Sequence, residues 1–347
     1  MIVGTDQVPI SSNNVGPNIR FIFFVLICIL PTFLCPTAST HAQQIQKIPV
    51  LGLLSASSPA PHPSPALQAF LDRLHELGFV EGKTITIERR HAAGKEDRLP
   101  SLAADLVRLK VDVIVAGGGN AILAAKNATK TIPIVMAGAS DPLGTGLIPS
   151  LARPGGNITG STNIHPDLSG KRLELLKETM PALTTVAVLV YRGNPAYEFL
   201  LKETETAAQL LRLQLEILAT HETSELERAF AAAKKSGSEA IDILSSAFFI
   251  PERKNIVELA ARSRLPAVYI DRSFVEAGGL MSYGANIAEG WQRAAIYVDK
   301  ILKGAKPADL PVEQPTKFEL VINLIPAKQI GLLIPPNVLA RADRVLR

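Results

Sequence analysis

The sequence predicts an α/β protein built as two doubly wound parallel-sheet lobes with a ligand cleft between them. Three observations carry this. Short apolar runs alternate with amphipathic helical stretches from residue 48 onward, the pattern of parallel strands covered by helices on both faces. The series pauses at a Gly-rich stretch, 155–162, and then restarts, which gives two similar halves. After residue 280 a further helix and strand lack local partners, so the chain crosses between lobes more than once.

The elements follow in order. Ile48–Leu54 reads as a buried strand. Ser64 stands at an N-cap with Pro65 in the first helical position. Leu67, Phe70, Leu71, Leu74 and Leu77 follow at helical spacing until Gly78. Thr84–Arg90 alternates as a strand, and Leu99, Leu102, Ala103, Leu106 and Leu109 mark a second helix. Val111–Ala116 is a strand, followed by Gly117-Gly118-Gly119-Asn120 and an Ala-rich helix to Lys130. Ile132–Ala137 is a fourth strand, and Asp141-Pro142 is another cap-plus-proline pair.

The second series opens with strand Thr185–Val190 and the cap Asn194-Pro195. Leu213–Leu218 is a strand, and Ser224 with Glu227 has capping-box spacing. Ala240–Ser245 is a strand, Pro251–Ser263 a helix and Pro266–Ile270 a strand. Ile287–Lys303 is a long amphipathic helix with Trp291, Ala294, Ala295, Val298 and Ile301 on its apolar face. Phe318–Asn323 is a late strand, with short helices around Ala327 and Leu339.

The chain has 347 residues, 47% hydrophobic and 20% charged, with 24 Gly and 25 Pro. That balance excludes a disordered or fibrous protein. The net charge is +4 and the charges are scattered, so no nucleic-acid partner is expected. One long apolar run exists, at 21–30, which excludes a multi-span membrane protein. Arg20 precedes that run, Pro31 ends it, and Leu34, Cys35, Ala38 and Ala42 follow. This is the layout of a secretory signal peptide over 1–42, cleaved after Thr40-His41-Ala42 and before Gln43. An uncleaved anchor helix is the other reading. A lipid anchor needs a small residue before the modified cysteine, but Ile27 precedes Cys28 and Leu34 precedes Cys35. Both cysteines leave with the label, so the mature chain needs no disulfide.

Enzyme motifs fail. There is no Gly-x-Ser-x-Gly elbow and no phosphate-binding Gly-x-x-x-x-Gly-Lys-Ser/Thr loop. Gly117-Gly118-Gly119 follows a strand, yet the last position of Gly-x-Gly-x-x-Gly is Ile122. His62, His75, His91, His165 and His221 make no metal-ligand pair. No metal and no cofactor is expected. Triads are spatial, so a secreted hydrolase or other enzyme on the same scaffold stays as the alternative. A ligand-sensing transcription regulator shares the fold class, but no helix-turn-helix precedes the first strand.

Several runs resemble one family. They are Asp141-Pro142-Leu143-Gly144-Thr145-Gly146-Leu147, then Ser150-Leu151-Ala152-Arg153-Pro154-Gly155-Gly156-Asn157-Ile158-Thr159-Gly160, then Gly278-Gly279-Leu280-Met281-Ser282-Tyr283-Gly284. Leu77-Gly78-Phe79-Val80-Glu81-Gly82 and the stretch 301–316 fit as well. The chain resembles, over roughly 48–345, the ABC transporter substrate-binding proteins of the type I periplasmic-binding fold. The resemblance implies two lobes joined by three crossovers and a small-molecule ligand in the cleft. It implies delivery to an ABC permease with its ATPase subunits, a periplasmic monomer, and a ligand such as an amino acid, aromatic ones included. Lobe 1 is expected at 43–160 plus 284–311, and lobe 2 at 161–283 plus 312–347. Hinges are expected near 160–163, 271–284 and 311–315, where Gly and Pro allow bending.

In open parallel sheets, ligands bind beyond the carboxyl ends of the strands, and this places the candidate contacts. Ser55 and Ser57 follow the first strand, and Asn120 opens a helix whose unpaired N–H groups favour an anion. Ser140 and Asp141 follow the fourth strand. Tyr191 and Asn194 end a strand in the second half, Phe248 and Phe249 follow another, and Asp271 and Tyr283 flank an expected crossing. The expectation is a carboxylate near Gly119-Asn120 and Ser55 or Ser57, and an ammonium at Asp141 or Asp271. The ligand's side chain would meet Tyr191, Phe248 or Tyr283. Trp291 reads as core.

Overall fold

The structure, a computed structural model, describes residues 47–59, 62–163 and 168–347. The expected signal peptide at 1–42, with Cys28 and Cys35, lies outside the described residues, as does His165. The first half runs β1 (Val50–Ser55), α1 (Pro65–Glu76), β2 (Thr86–His91), α2 (Leu99–Arg108), β3 (Val113–Gly117), α3 (Gly119–Ala128), β4 (Ile134–Ala139) and β5 (Ile158–Thr162). These five strands form one parallel sheet in the order β2-β1-β3-β4-β5.

The second half runs α4 (Leu168–Thr179), β6 (Thr185–Tyr191), α5 (Tyr197–Leu211), β7 (Gln214–Thr220), α6 (Leu226–Lys235), β8 (Ala240–Ile243), α7 (Arg253–Ser263), β9 (Ala267–Tyr269), α8 (Arg272–Glu276) and β10 (Met281–Ala285). Then come α9 (Ile287–Leu302), β11 (Phe318–Asn323), α10 (Leu324–Ile330), α11 (Pro336–Leu339) and β12 (Arg344–Leu346). The second sheet has the order β12-β11-β10-β9-β8-β6-β7. It is parallel except where β11 runs antiparallel to β10. The fold is therefore two doubly wound α/β lobes.

Local signals account for most boundaries. The Ser64 hydroxyl accepts from the Leu67 N–H at 3.2 Å and Pro65 starts α1, whose Phe70 and Leu74 are buried one turn apart. Asn286 caps α9 by accepting from the Ala288 N–H at 3.0 Å. Ala294, Ala295, Val298 and Ile301 of α9 do not pack in the second half. They join α1 and the inner face of the first sheet, with Leu51, Leu53, Val113, Val115 and Val135. The chain thus leaves the first lobe after Thr162, returns at Asn286 and leaves again before Phe318. On that last passage the Glu313 N–H donates to the Gly160 carbonyl at 3.0 Å and its carbonyl accepts from the Thr162 N–H at 2.8 Å.

Three expected caps take other forms. Asp141-Pro142 starts no helix, because Gly144 and Gly146 follow, the latter with φ of 65°. The Asp141 carboxylate instead accepts from the Gly144 N–H at 2.8 Å and closes a turn. Asn194 accepts from the Ala196 N–H at 3.0 Å, so α5 starts only at Tyr197. The Ser224–Glu227 box does not form; Glu225 accepts from the His221 N–H at 2.7 Å ahead of α6. The segment 271–284, expected as a crossing, holds α8 and β10 within the second sheet, and the chain crosses at Asn286.

Candidate ligand-binding site

The carboxyl ends of β3 and β4 meet those of β6 and β8 between the lobes. At the cleft mouth the lobes are hydrogen-bonded to each other. Glu96, just before α2 on lobe 1, accepts from the Tyr191 hydroxyl of lobe 2 at 2.6 Å. It also accepts from the Asn120 side-chain amide, which donates in turn to the Gly193 carbonyl of lobe 2 at 2.8 Å. Burial pushes the Glu96 carboxyl above the usual carboxylate range, while its bonds to Tyr191 and Asn120 pull the other way. Burial, with Glu96 beside it, pushes the Tyr191 phenol far up, so it stays a donor.

The Tyr191 ring stacks on Phe248, with centroids 4.1 Å apart and planes within 6°. Phe249 meets Phe248 edge-on at 5.6 Å and is fully buried. The three rings form an aromatic cluster on lobe 2 where the lobes meet. Opposite it, the start of α3 comes very close. A Cβ at Gly118 would lie 2.8 Å from Ala247, and one at Gly119 would lie 3.2 Å from Pro195. At Gly118, with φ of 88°, only glycine allows this approach.

Beside the crossings, a small cavity, partly open to solvent, is lined by Asn163, Ser169, Arg172, Ser245, Ile270 and Gly284 among others. Arg172, from α4, is 3% exposed and its Nε donates to Asp242 at 3.0 Å. Asp242, on β8, has no exposure and its Oδ2 has no partner. Burial pushes the Asp242 carboxyl up and Arg172 pulls it back. Asn163 Oδ1 is also buried without a partner.

The candidate residues fall into groups. Tyr191, Phe248 and Asn120 meet at the mouth. Ser140, Asp141 and Asn194 line a second small cavity with Gly119. Asn194 also donates to the Ser245 carbonyl at 2.7 Å. Ser55 and Ser57 share a hydroxyl contact of 2.8 Å where β1 ends, close to β2's His91. Asp271 caps α8 by accepting from the Ser273 N–H at 2.8 Å. Tyr283 packs into the lobe 2 core near Phe318 and does not join these groups. Trp291 is partly buried: it meets Phe70 edge-on at 6.0 Å, and its ring fills the space a Cβ at Gly117 would need. Among the described residues no group of three His, Cys, Asp or Glu could hold a metal.

A family model described as ABC transporter substrate binding protein matches residues 57–346. The chain belongs to this family. A curated relative, the tyrosine-binding protein of Clostridioides difficile, is 27% identical over 272 residues, covering 76% of each chain. A conserved domain protein from Vibrio cholerae has a TM-score of 0.80 at 28% identity, covering 86% of this chain and 100% of that one. An ABC domain from Streptococcus pneumoniae in complex with L-Trp has a TM-score of 0.79 at 27% identity, covering 86% and 99%. Glu96, Arg172, Asn163 and Asp242 lie at the strand ends between the lobes, beside the sequence candidates. Asp242 carried a readable signal, one carboxylate inside the apolar run Ala240–Ile243. Glu96 carried none, because it lies in the charged run Lys95-Glu96-Asp97-Arg98. No described helix is long and apolar enough to cross a membrane.

Proposed function

We propose that this chain is the extracytoplasmic solute-binding component of an ABC importer. It takes an amino acid, an aromatic one first, into the interlobe cleft and releases it unchanged to a membrane permease driven by ATPase subunits. It works as a monomer in the periplasm after removal of residues 1–42. The observation that carries this reading is the cleft itself. The strand ends of two lobes meet, with the stacked Tyr191–Phe248 pair on one side and polar groups on the other. The relatives' ligands, tyrosine and L-Trp, support the aromatic choice. Ser55, Ser57, Asn120, Ser140 and Asp141 on lobe 1 and Tyr191, Asn194, Phe248 and Asp271 on lobe 2 supply the contacts. Tyr283 supports its strand from within.

Hydrogen bonds to charged groups contribute about 1.5–3 kcal/mol each. A few of them with ring burial reach micromolar affinity, about −8 kcal/mol. Calorimetry of the mature chain with L-tryptophan, L-tyrosine and L-phenylalanine tests this. The expected result is micromolar binding of at least one of them. Absence of binding to all three removes the aromatic ligand class. Mass spectrometry of the exported protein should show an N-terminus at Gln43; a lipid on Cys35 or an intact leader overturns the soluble form.

A further inference from the structure

We propose that Arg172 is the anchor for the ligand's α-carboxylate, and that the cavity beside the interlobe crossings is the subsite for the ligand's charged end. The inference rests on the amino-acid reading above and names the polar half of that site. Arg172 is a buried guanidinium on the wall of a cavity. A guanidinium carries five N–H donors in a planar fork. Here Nε donates to Asp242 at 3.0 Å and Nη2 to the Ser169 hydroxyl at 3.3 Å. Among the described residues the remaining donors have no protein partner.

A fork that only neutralised Asp242 would engage both carboxylate oxygens, yet Asp242 Oδ2 is left without a partner. The guanidinium is turned so that one edge serves Asp242 and its remaining donors are left for something else. On the same cavity wall, Asn163 Oδ1 is a buried acceptor without a donor. The cavity lining therefore includes unused donors and an unused acceptor. A carboxylate satisfies the first and an ammonium the second. A zwitterion satisfies both, and it adds no net charge to a buried ion pair that is itself neutral.

The position fits as well. Ser245 lines this cavity and leads through Ser246 and Ala247 to Phe248 of the aromatic cluster. The carboxylate would then sit in this cavity, not at Gly119-Asn120. There Gly118 and Gly119 are covered by Ala247 and Pro195, and the Asn120 amide is bonded to Glu96 and Gly193.

Removing Arg172 alone would leave Asp242 buried and unpaired, so the test uses Arg172→Met/Asp242→Leu, an apolar replacement of the whole pair. Arg172→Lys, which keeps the charge and loses the fork, is the second variant. Calorimetry is run on each protein with L-tryptophan and L-tyrosine, with tryptamine and tyramine, which lack the carboxylate, and with 3-indolepropionate, which lacks the ammonium. Circular dichroism checks that each variant is folded. The wild type should bind the amino acids about 10- to 100-fold more tightly than the amines, the size expected for hydrogen bonds to a charged group. In the double variant that gap should shrink to about threefold or less, with amine binding unchanged. Should the double variant fail to fold, Arg172→Lys carries the test, with a loss of about tenfold for the amino acids alone. A gap that persists in the variants overturns the assignment. Wild-type binding of 3-indolepropionate but of neither amino acid removes the amino-acid reading. In that case loss of 3-indolepropionate in the variants upholds the Arg172 subsite, and its retention overturns it. No binding of any carboxylate probe overturns both.

Discussion

Glu96 concentrates the physics of the cleft mouth in one side chain. Its carboxyl is held above the ordinary glutamate value of 4.5 because burial outweighs its bonds to Tyr191 and Asn120. The folded chain therefore binds this proton more tightly than the unfolded chain does. Its contribution is fully present below that ordinary value and is lost as pH rises through the elevated one. Glu96→Gln keeps an acceptor for Tyr191 and removes the titration. The melting midpoint of the wild type should fall relative to Glu96→Gln as pH rises from 4.5 toward neutrality; parallel curves would remove Glu96 from this role. Phe248 acts through its ring. Phe248→Ala should weaken L-tryptophan binding by about tenfold, the scale of one aromatic pair with its burial, measured by calorimetry. Tyr191 and Phe248 were visible in the sequence because aromatics at strand exits stand out. Glu96 and Arg172 were not, because only the fold sets one opposite Tyr191 and the other beside Asp242.

Some helix starts are set by local bonds, while some strands owe their existence to neighbours. Ser64-Pro65 starts α1 and Asn286 starts α9 through bonds within a few residues. Strand β10, in contrast, is Met281-Ser282-Tyr283-Gly284-Ala285, poor in strand formers. It exists because β9 and β11 lie on either side of it. Its glycine shows how tight the site is: a Cβ at Gly284 would lie 1.9 Å from the Ile270 carbonyl oxygen. On β5, Gly160 has φ of 129° and a Cβ there would lie 2.4 Å from the Met136 carbonyl oxygen. Alanine at either position meets rigid backbone, and Gly160→Ala should cost about 2–4 kcal/mol in urea unfolding. Gly78→Ala is the control. Its φ is 92° but nothing lies within 4 Å, so only the backbone term remains, about 1–2 kcal/mol. Equal losses at the two sites would show that packing against Met136 is not the cause.

At the scale of the whole molecule, two lobes are joined by three crossings and meet through a few hydrogen bonds and the packing of α3's start on Ala247 and Pro195. Each such bond contributes about 1 kcal/mol net, small enough for thermal opening and for hinge motion. The Asn120→Ala/Tyr191→Phe variant lacks the cross-lobe donors. Without ligand it should be more open than the wild type, with a larger radius of gyration in small-angle scattering. An unchanged radius would show that other contacts hold the lobes together. The two-lobed plan was legible from the repeated strand–helix series, and the repeated crossing from the orphan helix after residue 280. That the helix serves lobe 1 was settled by its apolar face, which fits the inner side of β1, β3 and β4.

The position of α9 in the chain also sets an order of assembly. Synthesis delivers all five strands of lobe 1 long before the helix that covers them. Until Ala294, Ala295 and Val298 emerge, the face formed by Leu53, Val113, Val115 and Val135 has only part of its cover. By then every strand from β6 to β10 has been made. Lobe 2 cannot finish first either, because β11 and β12 come after α9. Neither half can mature on its own, so the nascent chain stays unfinished until nearly its last residues. A chain broken off before α9 would carry a sticky apolar sheet and should be found in aggregates or held by chaperones.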